Sequence, residues 1–169
     1  MKVLLVRHAA AAPRGTPGVS DDERALTAIG KAEFCEAARG LVRIADRPDV
    51  LLTSPLPRAR MTADIAATAF ERIEPRIEPA LAHEGVDGIV VALKTHPGGA
   101  TVAVVGHEPA LSELTARLLG VSKHEGLAFE KGGAALVDLP DGPSAGGRLI
   151  WFLEPRILRM LGSERRETR

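Results

Sequence analysis

Residues 2–8 read KVLLVRH. The apolar run Val3 to Val6 has no alternation with polar residues, so it reads as a strand buried on both faces, as in a parallel sheet covered by helices. Arg7 and His8 then stand at its carboxyl end. In open α/β sheets that edge is where ligands bind. TVAVVGH at residues 101–107 repeats the pattern, ending in Gly106 and His107. DVLLTS at residues 49–54, bracketed by Pro48 and Pro55, is a third buried strand that ends in small polar residues. The class is α/β with a mostly parallel sheet.

The segments between these strands read as loops and helices. Residues 9–24 are rich in Ala, Gly, Pro, Ser and Asp and form a long loop beside the first strand end. Thr27 offers an N-cap to a helix that ends near Asp46. A second helix, over residues 57–70, carries Arg58 and Arg60 in its first turn. Cations there oppose the helix dipole, so an anion is expected to compensate them. Residues 76–88 read as a short strand and then a loop, residues 86–96 as an amphipathic helix, and residues 108–120 as a helix with Pro109 in its first turn. From Gly132 the chain reads as two strands joined by a turn-rich loop, a hairpin closing the sheet.

A chain of 169 residues fits a single domain, here residues 1–161, followed by a polar tail at 162–169. Lys plus Arg and Asp plus Glu both number 22, so no global field attracts nucleic acid or an anionic membrane, and any anion site must be local. No segment is long enough to span a bilayer, and no cleavage site follows the opening apolar run. The single cysteine, Cys35, cannot form an internal disulfide and lies at helical spacing, so it reads as a structural residue of a cytoplasmic protein. There is no C-x-x-C and no histidine pair at i, i+4, so neither a metal nor another cofactor is expected.

If the three strands are parallel neighbours, their polar ends meet. Arg7, His8, Arg58 and His107 would then form a site for a small, highly charged anion such as a phosphoryl group. Without a metal, the arginines must neutralise the charge that Mg²⁺ neutralises in kinases. A neutral imidazole can accept a phosphoryl group on one ring nitrogen while the other donates to a backbone carbonyl. His8 is the natural nucleophile because the strand fixes its position. A histidine at a strand end is often only a polar cap, and Arg39, Arg43, Arg47 and Arg60 read as solvated surface. The convergence of separate segments carries the functional reading.

These motifs resemble the histidine phosphatase superfamily, the phosphoglycerate mutase-like proteins, and within it the small SixA-type phosphohistidine phosphatases. Arg7-His8-Ala9 stands where the superfamily usually has Arg-His-Gly, and many SixA-like chains read Arg-His-Ala. Residues 22–31, DERALTAIGK, resemble the acidic-Arg-x-Leu-Thr-x-x-Gly stretch. Residues 54–63 resemble Ser-Pro-x-x-Arg-Ala-x-x-Thr-Ala, and residues 106–109 the Gly-His-Asn-Pro turn, with Glu108 in place of Asn. Residues 151–155 fit the closing strand. The resemblance implies a three-layer α/β/α sandwich. It implies that His8 accepts the phosphoryl group, that Arg7 and Arg58 bind its oxygens, and that His107 donates to it in the transition state. The larger mutase-like enzymes use a glutamate after the central strand as general acid. Here that region contains Glu84, with His83 behind it.

The short span between Ser54 and Gly106 leaves little room for a helical insertion over the pocket, which favours an open site and a phosphorylated side chain on a protein. A leaving imidazole needs less protonic help than a leaving alkoxide, so phosphohistidine tolerates a weak general acid. The leading expectation is therefore a metal-independent phosphatase, monomeric, acting on phosphohistidine in a signalling protein such as a histidine-containing phosphotransfer domain. Hydrolysis of a small phosphate ester, a sugar phosphate or nucleotide derivative, and a non-catalytic phospho-ligand module stand as alternatives. Mutase activity is less favoured, because an open pocket does not exclude water.

Overall fold

In the computed structural model, which describes residues 1–83 and 85–163, a six-stranded sheet separates two layers of helices. The elements in chain order are β1 (Lys2–Arg7), α1 (Ala28–Ile44), β2 (Val50–Thr53), α2 (Pro57–Ala69), β3 (Pro75–Ile77), α3 (Ala80–His83), α4 (Gly85–Lys94), β4 (Thr101–Gly106), α5 (Ala110–Leu119), β5 (Ala134–Asp138), β6 (Arg148–Leu153) and α6 (Pro155–Ser163). The strand order is β3-β2-β4-β1-β5-β6. β1 and β2 both pair in parallel with β4, and β3 pairs in parallel with β2. Only β5 runs against its neighbours, so the hairpin expected from Gly132 onward closes the sheet on the β1 side.

The absence of alternation in β1 has its cause here. Leu4 and Val6 face a layer built from α1, α2 and α6, packing with Phe34, Leu41, Ala63 and Leu158. Val3 and Leu5 face the opposite layer of α3, α4 and α5, with Leu81, Ile89, Leu93 and Leu114. The three-layer sandwich is thus stabilised by apolar burial on both sheet faces.

Crossover directions place the site. β1 and β2 lead into helices of one layer, while β4, which lies between them, leads into α5 of the other. Chains that leave adjacent strands in opposite directions open a crevice at the carboxyl edge. Arg7 is in register with Gly106 across β1 and β4, so the residues that follow, His8 and His107, enter that crevice together.

The structure corrects the sequence reading in two places. Residues 80–83, expected as loop, form the helical turn α3: Ala80 N–H donates to the Glu78 carboxylate at 3.1 Å, and Ala80 and Leu81 are buried. The C-terminal segment, read as strand to Pro155 and polar tail from residue 162, instead forms α6 through Ser163. It packs tightly on α1, where a Cβ on Gly40 would lie 2.0 Å from the Leu158 carbonyl oxygen and one on Gly162 would lie 1.9 Å from that of Glu36. Residues 164–169 of the expected tail and Glu84, the candidate general acid, lie outside the described residues. No helix among the described residues is long and apolar enough to cross a membrane.

Candidate active site

His8 is placed by backbone bonds on both sides. Its N–H donates to the Gly106 carbonyl at 3.0 Å, and its own carbonyl accepts from Gly132 N–H at 3.1 Å. The loop that follows folds back under it: Ala9 N–H donates to Thr62 Oγ1 at 3.0 Å, and Thr27 N–H donates to the Ala10 carbonyl at 3.0 Å. Thr27 also caps α1 as its sequence position implied, its hydroxyl accepting from Gly30 N–H at 2.9 Å. Gly30 allows this approach, since a Cβ there would stand 2.1 Å from the Ala10 carbonyl oxygen.

The two imidazoles lie with ring centroids 5.1 Å apart. His8 Nδ1 is 2.7 Å from the Ala9 carbonyl oxygen. A carbonyl only accepts, so Nδ1 carries the proton and Nε2 keeps a free lone pair. His107 Nε2 is 2.8 Å from Ser54 Oγ, which itself accepts from Leu56 N–H at 3.3 Å. If the serine proton goes to Nε2, then His107 Nδ1 is a donor. That Nδ1 is buried and has no hydrogen-bond partner. Burial, followed by the bonded carbonyl and the Arg58 and Arg7 charges, leaves the His8 pKa lowered to about 4. Burial, then the charges of His8, Arg58 and Arg7, lowers that of His107 to about 3. Both rings are neutral at pH 7.

Three arginines converge on the same crevice. Arg7 donates from Nη1 to the Phe129 carbonyl, which leaves its buried Nε without a partner. Arg58, only 5% exposed, donates from Nη1 to the Asp21 carbonyl at 2.7 Å and likewise has an orphaned Nε. The anion expected to compensate the first turn of α2 is Asp21, whose carboxylate lies 3.6 Å from Arg58 Nη2. Arg60, by contrast, is exposed, in keeping with the surface reading. Arg24 was legible only as part of the 22–31 motif. It is also 5% exposed, donating to Asp21 at 2.9 Å and to the Ala12 carbonyl at 2.8 Å.

These side chains line a cavity of about 280 Å³ whose wall holds Arg7, Arg14, Arg24, Arg58 and Lys131 as cations and Glu108 as carboxylate. Glu108 is turned inward: one oxygen accepts from Phe129 N–H at 2.8 Å and the other from Ser112 Oγ at 2.6 Å. The site therefore joins four of the five residues singled out from the sequence, Arg7, His8, Arg58 and His107. Arg14, Arg24 and Lys131 were not singled out, because a cation in a loop carries no local signal of what it will face. Cys35 is exposed on α1 and takes no part.

Such an arrangement can hold a tetrahedral oxyanion against fixed donors while presenting a nucleophilic nitrogen to its centre. Comparison with known proteins agrees. The family model of the histidine phosphatase superfamily (branch 1) matches residues 3–84. An uncharacterised protein of Picosynechococcus sp. is 34% identical over 116 residues, covering 67% of this chain and 70% of that one. The structure of the protein histidine phosphatase SixA complexed with tungstate superposes with a TM-score of 0.81 at 26% identity, covering 94% of this chain and 99% of that one. A structure from Agrobacterium tumefaciens, provisionally assigned as a phosphohistidine phosphatase SixA, gives a TM-score of 0.76 at 28% identity over 91% of this chain and 97% of that one. One from Escherichia coli, provisionally assigned as an alpha-ribazole-5′-P phosphatase, shares the fold with a TM-score of 0.72 at 19% identity over 92% and 98%.

Proposed function

The chain belongs to the histidine phosphatase superfamily and is a phosphatase, and from that premise we propose that it works through a phosphohistidine formed on His8, with phosphohistidine in a signalling protein as substrate. One observation carries the mechanism. Of the four buried side-chain nitrogens without a partner among the described residues, three belong to Arg7, Arg58 and His107 on the wall of one cavity. The fourth is Trp151 Nε1. An unsatisfied buried donor costs about 1–3 kcal/mol, and three such donors around one cavity are the mark of a site awaiting an anion.

In this reading the phosphoryl oxygens accept from Arg7 Nε, Arg58 Nε and His107 Nδ1. The Nε2 lone pair of His8 attacks phosphorus, and the bond from phosphorus to the leaving group breaks, its electron pair going to that group. The Ala9 carbonyl stabilises the positive charge that develops on the ring. Water then attacks the phosphohistidine, the N–P bond breaks, and inorganic phosphate departs while His8 regains its lone pair. Glu84 is our candidate to protonate the leaving atom.

Substrate class follows from what borders the cavity. Its lining comes from residues 7–24, Arg58, His107, Glu108 and Lys131, with no contribution from residues 59–106 among those described. The segment between β2 and β4 is spent on α2, β3, α3 and α4, whose apolar residues are buried against the sheet instead of arching over the site. An uncapped site suits a phosphorylated side chain on a partner's surface. The family neighbours described as SixA favour the same substrate. A second reading, a small phosphate ester, is favoured by the cavity's volume and by the ester phosphatase that shares the fold.

The test is hydrolysis of a phosphohistidine peptide beside p-nitrophenyl phosphate and several sugar phosphates, with EDTA present. We expect peptide turnover to survive EDTA, because arginines carry the charge neutralisation, and His8→Ala to abolish both turnover and covalent labelling. Turnover of esters alone would transfer the same mechanism to the second reading. Retained turnover in His8→Ala would end the mechanism, and oxyanion binding without turnover of any substrate would make the protein a binding module.

A further inference from the structure

A carboxylate in the wall of an anion site is unfavourable unless it does something there, and Glu108 adjoins His107 directly. Both of its oxygens are engaged away from the cavity's other groups. Ser112 is buried and has one hydroxyl proton to give; its oxygen lies 2.6 Å from Glu108 and 2.9 Å from the Pro109 carbonyl, so the shorter, charge-assisted contact takes the proton. Phe129 N–H donates to the second carboxylate oxygen at 2.8 Å.

The other end of the Phe129 residue is what matters. Its carbonyl accepts Arg7 Nη1, and its ring is anchored in the core against Phe152 with centroids 4.5 Å apart. Glu108 thus ties the turn that carries His107 to the strand-entry segment that holds the Arg7 guanidinium. With Nη1 pinned to Phe129, the buried Nε of Arg7 is left for an oxyanion.

We propose that Glu108 is a positioning residue, acting through the Phe129 peptide to fix the Arg7 guanidinium for oxyanion binding. This rests on the reading of Arg7 as a phosphate ligand. The proposal separates cleanly from an electrostatic role, because the two predict effects of opposite sign. A carboxylate that acted only by its charge would repel the anion, and its removal would tighten binding. A carboxylate that positions Arg7 loosens binding when it is lost.

The experiment measures dissociation constants for inorganic phosphate and tungstate by calorimetry, together with KM and kcat on p-nitrophenyl phosphate, for the parent chain, Glu108→Ala, Glu108→Gln and Arg7→Ala, and for Arg7→Ala combined with Glu108→Ala. Thermal unfolding of each variant confirms that it is folded. Outer partners of a binding group typically contribute 10–100-fold, so we expect Glu108→Ala to weaken both oxyanions by about 10-fold. Glutamine keeps an acceptor for Phe129 N–H and an amide that Ser112 can accept, so Glu108→Gln should stay within about 3-fold of the parent. In the Arg7→Ala background Glu108→Ala should add little, since coupled residues are not additive. Unchanged or tighter oxyanion binding in Glu108→Ala, or equal losses in alanine and glutamine variants, overturns the proposal. Because the oxyanion measurements need no turnover, they judge Glu108 even if the phosphohistidine reading fails.

Discussion

His8 is held as a neutral imidazole by forces that its neighbours supply. Burial is the largest, and the cations Arg58, Arg7 and Lys131 add to it, while the Ala9 carbonyl acts in the opposite sense and fixes the tautomer. A nucleophile must be unprotonated, so the acid limb of kcat/KM should follow the free-enzyme value of about 4 in place of the usual histidine range. After correction for the substrate's own ionisation, kcat/KM should hold as pH falls through about 6.5, where an ordinary histidine titrates, and drop only near the lower value. A limb at the ordinary value would mean that His8 is far less shielded than its surroundings imply. The second imidazole is oriented differently, through Ser54 Oγ, and that hydroxyl is the reason its Nδ1 faces the anion as a donor.

At the scale of elements, the site depends on helices that approach backbone closely. Gly40 of α1 and Gly162 of α6 let the two helices meet through backbone, and neither residue lines the cavity. Gly40→Ala would drive a methyl group onto the Leu158 carbonyl, and overpacking of this kind costs about 1–3 kcal/mol. At this chain length that corresponds to a fall in Tm of about 2–12 °C, with turnover per folded molecule unchanged. Gly30→Ala clashes instead with the Ala10 carbonyl, in the loop that fixes His8, and should lower both Tm and kcat. Thermal unfolding followed by steady-state assay of the two variants checks the contrast. Equal kcat losses in both would show that the α1 and α6 crossing communicates with the site.

For the whole molecule, charge is balanced in total and unbalanced in place. The 22 basic and 22 acidic residues cancel, yet five cations and a single carboxylate line the cavity. The two depressed imidazoles link this site to global stability. Unfolded, each binds a proton near pH 6.5; folded, they bind only near 4 and 3, so the unfolded state holds more protons throughout that window. Stability therefore falls as pH drops below about 6.5 and the contribution is lost once pH passes the folded values, with His8 alone worth on the order of 3 kcal/mol. Urea unfolding across that range should show a shallower pH slope in His8→Ala than in the parent. An identical slope would place the acid sensitivity elsewhere.

What the sequence by itself determined was whatever short segments encode locally. Uninterrupted apolar runs in β1, β2 and β4 specify strands buried on both faces, and polar residues at their ends locate Arg7, His8 and His107 at one edge once the strands are parallel. Thr27 signalled its cap because a capping hydroxyl needs only the next turn of chain. Tertiary structure alone decided the rest, since the relevant partners are distant in sequence. The inward turn of Glu108 depends on Phe129, and the burial of Arg24 depends on Ala12 together with the fold of the loop around it. The helix α6 has its place because Gly162 meets Glu36 across more than a hundred residues of chain, and no local pattern in nine residues encodes that meeting.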